Sequence, residues 1–146
     1  MHLGFYSELA RQGVVAIRGF IAEQGYSSSA EDIRRCRQDL MDMEDGALFK
    51  PEQLASSPEF YSTSDCRDLL FHVQEHRYTL PQLKEILDDL ELDFIGFTTT
   101  PQIIKKYTAQ FPDDPSRTNL DHWATFETGN PHTFAAMYQF WVQKRG

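Results

Sequence analysis

The sequence predicts an α/β fold that is mostly helical, with three short strands, and three observations carry that expectation. The chain has 146 residues, 40% of them hydrophobic, enough for one domain with its own core and hardly room for two. Three short runs, "HLGFY" (2–6), "LDFIGF" (92–97) and "MYQFWVQK" (137–144), are apolar at nearly every position, as strands covered on both faces of a sheet are. Between them the apolar residues return at helical spacing.

In order along the chain, the first strand stops at Ser7, which can cap a helix that follows directly. Val14, Ile17, Phe20 and Ile21 share one helical face, and Gly25 is a stop signal. The serines 27–29 then offer an N-cap, with Ser29 three residues before Asp32 and Ser28 three before Glu31. The helix they start places Ile33, Cys36, Leu40 and Met43 on one face. Residues 46–58 read as a connection with a helical turn around Pro51–Leu54. Ser62 to Ser64 cap the next helix, whose core stripe is Cys66, Leu69, Leu70 and Val73. Thr79 and Gln82 have capping-box spacing, Pro81 falls in the first turn, and Leu83, Ile86, Leu87 and Leu90 form the stripe behind them. After the strand at 92–97 the chain turns at Thr98 to Pro101. Ile103, Ile104, Tyr107 and Phe111 mark a helix ended by "PDDP", and Leu120, Trp123 and Phe126 mark another, broken at Gly129-Asn130-Pro131. The aromatic tail of Phe134, Tyr138, Phe140 and Trp141 reads as core. No internal repeat or low-complexity segment is present.

Composition removes several classes of function. Fourteen basic against twenty-two acidic side chains give a net charge of −8, and no basic run is longer than a pair such as Lys105-Lys106 or Lys144-Arg145. Neither nucleic acid nor an anionic membrane is expected as a partner, because both need a basic face. Cys36 and Cys66, the two cysteines, sit in helical patterns rather than in a C-x-x-C pair, so they read as packed, reduced thiols of a cytoplasmic protein. The opening residues lack the basic start and apolar run of a signal peptide, and no apolar run approaches a membrane span.

One short motif invites a metal reading. "HVQEH" (72–76) has the H-x-x-E-H order of a class of zinc peptidase, with His72 and His76 four apart and Glu75 beside the second. Such a site needs a helix running through both histidines and a third protein ligand. Here "RYT" and a new cap follow His76, so the helix is expected to end there, where a histidine is favoured by the macrodipole alone. No metal is expected. Asp113-Asp114 lies between prolines with no calcium-loop spacing, and no Ser/His/Asp order, nucleotide loop or paired carboxylate set stands out.

Taken together, "LGFYSELAR" (3–11), "DIRRCRQDL" (32–40), "DCRDLLFHVQEHRYTLPQ" (65–82), "LDFIGF" (92–97) and "MYQFWVQK" (137–144) resemble the C-terminal part of bacterial class I methyltransferases that use S-adenosylmethionine, those fused to tetratricopeptide repeats. The resemblance spans essentially the whole chain. It implies that residues 2–6, 92–97 and 137–144 are the fifth, sixth and seventh strands of a 3-2-1-4-5-7-6 sheet, neighbours in the order 5-7-6 with the seventh antiparallel. The three strands would then form a mixed sheet, with residues 7–78 a helical insertion and 79–146 the end of the sheet, all within a single domain 1–146. In such enzymes the loop between the insertion and the helix before the sixth strand lies near the acceptor pocket. By that resemblance Tyr6, Ser7, His72, Glu75, His76 and Tyr78 are candidates for lining it, with the His/Glu pair orienting or deprotonating an acceptor.

The departure from the family is the glycine-rich turn that lets a backbone approach the cofactor. Gly13, Gly19 and Gly25 are scattered on a helical pattern and follow no strand. The expectation is therefore an acceptor-side, C-terminal piece that works with an upstream cofactor-binding part of the same enzyme. It would bind no S-adenosylmethionine and transfer no methyl group alone. The competing expectation is a non-enzymatic interaction module, in its simplest form a homodimer through the bare edge of the strand at 2–6.

Overall fold

The computed structural model describes residues 1–43, 58–71 and 74–146. The turn expected around Pro51–Leu54 lies outside the described residues, as do His72 and Val73. The chain forms two compact units, Met1–Arg11 with His76–Gly146 in the first and Gln12–Glu75 in the second.

The first unit holds the sheet. Its strands are β1 (His2–Ser7), β2 (Arg77–Tyr78), β3 (Leu92–Phe97) and β4 (Met137–Lys144), in the spatial order β2-β1-β4-β3. β4 is antiparallel to both neighbours, with Phe5 opposite Tyr138 and Phe97 opposite Phe140, so β1 and β3 point the same way. The sheet is mixed and has four strands rather than three. The extra strand pairs parallel to β1 through Tyr6↔Arg77 and Ser7↔Tyr78. Two residues are too few to show a side-chain period, so only the main-chain pairing defines this strand.

Apolar composition also misleads about the faces of the sheet. Along β4, Tyr138, Phe140 and Val142 are buried while Gln139, Trp141 and Gln143 are exposed, Trp141 by 51%. This is the alternation of a sheet packed on one side, which aromatic content had hidden. A bulge in β3 between Phe94 and Gly96 turns Ile95 outward beside Trp141.

Helices α5 (Leu80–Asp89), α6 (Pro101–Gln110) and α7 (Leu120–Gly129) complete this unit. Thr79 and Gln82 close the capping box of α5, Thr100 caps α6, and Asn119 caps α7 by accepting from the N–H groups of Asp121 and His122. Leu80, Leu83 and Leu87 enter the core, but Leu90, assigned to the same stripe, lies past the helix end and is 60% exposed. The centre of the core is aromatic. Trp123 stacks on Tyr107 at 3.9 Å, and Phe97, Phe126 and Phe134 surround it.

The "PDDP" turn does more than end α6. The buried Asp114 carboxylate accepts from Tyr107 Oη at 2.6 Å, Ser116 Oγ at 3.1 Å and the N–H groups of Thr118 and Asn119. Burial pushes its pKa up, but these four donors outweigh burial and hold it below the usual carboxylate range. A depressed acid contributes stability that is present above its unfolded pKa and is lost as the pH falls through the folded value. Asp114→Asn is therefore expected to cost roughly 1–3 kcal/mol at neutral pH. In urea titrations at several pH values, the gap between the two proteins should close on acidification below about pH 4. A gap that does not change with pH would refute the assignment.

The regular structure of the second unit is helical throughout its described residues: α1 (Gln12–Gln24), α2 (Ala30–Met41), α3 (Pro58–Tyr61) and α4 (Thr63–Cys66), the last continued by a π-helical turn over Arg67–Phe71. Ser7 does not cap α1 as expected, because a turn over residues 8–11 intervenes and the Ser7 hydroxyl accepts from the Ala10 N–H inside it. Gly25, at φ 72°, takes the left-handed conformation that ends α1. Ile17, Ile21, Ile33, Leu40, Phe60 and Leu70 pack with both cysteines. Burial pushes the Cys36 thiol up to about 12 and raises Cys66 as well, so both behave as inert core residues.

Candidate functional site

Because β1 and β3 run the same way, their carboxyl ends meet at the edge of the sheet where β4 begins. In open α/β sheets this edge is where ligands bind. A groove of about 440 Å³ lies there, lined by Thr98, Thr99, Thr100 and Ile103 after β3 and by Thr133 to Met137 before β4. None of its lining residues is ionisable. Several of its polar groups already serve the backbone: Thr100 caps α6, Thr133 Oγ1 donates to the Asn130 carbonyl at 2.6 Å, and the Thr98 N–H donates to the Gln139 carbonyl at 2.8 Å. The groove suits recognition of a neutral group. It presents no activated nucleophile.

Beside this groove wall, three side chains from three elements meet in the interior. Ser7 Oγ, at the end of β1, donates to Glu127 Oε1 of α7 at 2.8 Å, and Tyr138 Oη of β4 donates to Oε1 and Oε2 at 3.0 and 2.9 Å. The Ser7 N–H donates to the carbonyl of Ala136, one of the groove residues, at 3.0 Å. Burial raises the Glu127 pKa while the two hydroxyl donors pull it back, and burial likewise raises that of Tyr138.

The six residues implied by the resemblance are distributed as follows. The pairing of β1 with β2 sets Tyr6, Ser7 and Tyr78 side by side. The Tyr6 ring lies under the Arg11 guanidinium at 4.8 Å, and the Tyr78 ring packs on Phe5 at 5.0 Å. Ser7 is fully buried in the Glu127 network, while His76 is exposed. Glu75 belongs to the second unit, where it pairs with Arg18 at 3.0 Å. His72 lies outside the described residues.

The zinc geometry is not assembled by the described part of "HVQEH". Residues 74–76 are not helical, so His76 has no helix face to share. Among the described residues, no group of three His, Cys, Asp or Glu side chains is placed to hold a metal ion. At the opposite edge of the sheet a charged groove of about 370 Å³ carries Lys84, Asp88, Asp93, Asp121 and Arg145. These charges satisfy one another, Arg145 reaching Asp88 and Asp93 at 2.9 and 3.0 Å and Lys84 reaching Asp121 at 2.6 Å. Such exposed pairs are worth little individually.

Glu127 was missed by the reading of the sequence, although a signal existed. It stands seven residues after Leu120 and four after Trp123, a core position by helical spacing that an acid occupies. Among the described residues, no helix is long and apolar enough to cross a membrane. No family model matches the chain, and no curated protein matches it.

Proposed function

We propose that this chain is the acceptor-side, C-terminal part of an S-adenosylmethionine-dependent methyltransferase of the bacterial, tetratricopeptide-repeat-fused type, acting in the cytoplasm. The observation that carries the reading is the strand arrangement. β4, last in sequence, lies between β1 and β3 and antiparallel to both, with α5 leading into β3. This order, with these directions, supports the 5-7-6 arrangement implied by the resemblance. The groove at the carboxyl end of β3 supports it by offering a neutral recess on the side where an acceptor would enter.

The cofactor is assigned to an upstream part of the same enzyme. The turns after β1 (residues 8–11), β2 (Thr79) and β3 (residues 98–100) contain no glycine, so none lets a backbone close on S-adenosylmethionine. These residues do not fit the cofactor, and the chain alone is inactive in this reading. A second reading, an interaction module that dimerises through β1, is favoured by one observation: β2 covers only Tyr6 and Ser7, so residues 2–5 have no strand on their outer edge among the described residues.

A calorimetric titration of the chain with S-adenosylmethionine and S-adenosylhomocysteine, with mass measured by light scattering in the same buffer, tests both. The leading reading expects no heat of binding from either compound. Micromolar binding would overturn the assignment of the cofactor to the upstream part. A concentration-independent monomer would remove the dimer reading.

A further inference from the structure

β3 is the last strand of the sheet, and three features meet along its outer edge. The first is main-chain. The Arg145 N–H donates to the Glu91 carbonyl and the Thr98 N–H to the Gln139 carbonyl, which fixes the alternation of bonding along β3. With the bulge between Phe94 and Gly96 counted, the N–H and C=O groups of Leu92, Phe94 and Phe97 point away from β4. Arg145 closes the start of this edge by donating to the Leu92 carbonyl at 3.3 Å. The main-chain groups of Phe94 and Phe97 bond to no other described residue.

The second feature is a pocket of about 220 Å³ against this open stretch, walled by Ile95, Trp123, Trp141, Ile104 of α6 and Arg117. Trp141 and Ile95 are 51% and 47% exposed, neighbours on the open face of the sheet, whereas Trp123 and Ile104 belong to the packed face. The pocket therefore wraps the edge from one face to the other. The third feature is charge. In a chain of net charge −8, α6 carries the exposed Lys105 and Lys106, and the turn after it carries Arg117. None of these three cations pairs with a carboxylate among the described residues. The acids of the same turn are engaged, Asp113 beside His122 at 3.9 Å and Asp114 in the interior with its four donors.

We propose that the outer edge of β3 binds an extended acidic peptide segment of another protein, which bonds to the main chain at Phe94 and Phe97, seats an apolar side chain in the pocket beside Trp141, and presents its carboxylates to Lys105, Lys106 and Arg117.

An unpaired strand edge recruits a strand because each open N–H and C=O gains a partner. Successive side chains of the added segment alternate between the faces, so apolar ones meet Trp141 and Ile95 while acidic ones meet the side of α6. Tryptophan and arginine around one small pocket are the composition of an interaction hot spot. The uncompensated cations select an acidic partner over a basic one. The occupant is short, since Arg145 blocks one end of the edge and the bulge interrupts a longer ladder. The inference does not rest on the methyltransferase reading. Strands added beyond β1 extend the sheet on its other side and leave β3 at the edge.

The test is a nuclear magnetic resonance titration of the nitrogen-15-labelled full chain with a blocked peptide of alternating glutamate and valine. The amides of Phe94 and Phe97 and the indole of Trp141 should shift together and saturate in the high micromolar range, as a small interface gives, while the amides of β1 stay still. The same peptide with lysine for glutamate should bind at least about tenfold more weakly. Trp141→Ala changes an exposed side chain and leaves the core intact, and it should weaken binding about tenfold. Arg117→Gln should weaken it about twofold to fivefold. Light scattering on the same samples shows whether a second copy takes the edge instead. Any of four results would overturn the proposal: no shift at Phe94 and Phe97 at roughly millimolar peptide, equal binding of the lysine peptide, unchanged affinity in Trp141→Ala, or a dimer whose dissociation on dilution moves the same amides.

Discussion

Replacing Trp123 with alanine is expected to remove about 3–5 kcal/mol of stability, the largest loss available from one side chain in the sheet-bearing unit. The ring is fully buried and lies nearly parallel to Tyr107, 17° from coplanar, with the edges of Phe97 and Phe126 against it at 5.2 and 5.7 Å. Alanine would leave a cavity walled by stiff aromatic rings, which cannot collapse to fill it. It would also strand the Arg117 carbonyl, which accepts from the indole Nε1–H at 2.9 Å. Trp123→Phe separates the two losses. It keeps a ring against Tyr107 and drops the hydrogen bond, so roughly 1–3 kcal/mol is expected. Urea unfolding followed by circular dichroism measures both, and the half-exposed Trp141 remains as a fluorescent reporter in either variant. A domain of this size is stable by only about 5–15 kcal/mol, so the alanine variant should sit near the threshold of folding. A loss below 1 kcal/mol would mean that the aromatic cluster is not the centre of the core.

Much of that core was legible because burial repeats with the helix. Ile17, Ile21, Ile33, Leu40, Leu83, Leu87, Tyr107, Trp123 and Phe126 are all buried where their spacing places them. The pattern fails where the helix ends, as at Leu90, because a period carries no information past the last turn. It fails again in the sheet. β2 exists through main-chain bonds that side chains do not encode, and Trp141 reads as core although it stands on the open face of β4. The site was less legible still. Ser7 and Glu127 are 120 residues apart and meet only because β1 and β4 pair beside α7. Local rules see a cap in Ser7 and, at Glu127, a core position with no partner for its acid. The opposite responses of Glu127 and Asp114 to pH also depend on donor counts that only the folded chain defines. Stability from Asp114 is lost as the pH falls, whereas Glu127, with a raised folded pKa, favours the folded state most at low pH and loses that contribution as the pH rises through its midpoint.

Glu75→Ala is expected to cost about 3–5 kcal/mol in the helical unit, through a mechanism that packing alone does not provide. The side chains of Arg18 and Glu75 are 10% and 6% exposed, and Arg18 also donates from Nε and Nη2 to the Leu69 carbonyl at 3.1 and 2.6 Å. Leu69 lies in the π-helical turn over Arg67–Phe71, so these two bonds fasten Arg18 to that turn. Arg18 thus holds the turn and Glu75 neutralises Arg18. Removing the carboxylate leaves a guanidinium buried without its counter-charge, while removing both charges together leaves no such uncompensated charge. A double-mutant cycle makes the distinction. Arg18→Met with Glu75→Ala should cost clearly less than the sum of the two single changes, with a coupling of roughly 1–3 kcal/mol. Additive losses would show that the pair is not coupled. The reading of Glu75 as an acceptor-pocket residue makes a different forecast: a single change there would leave stability nearly untouched, and the measured loss decides between the two roles.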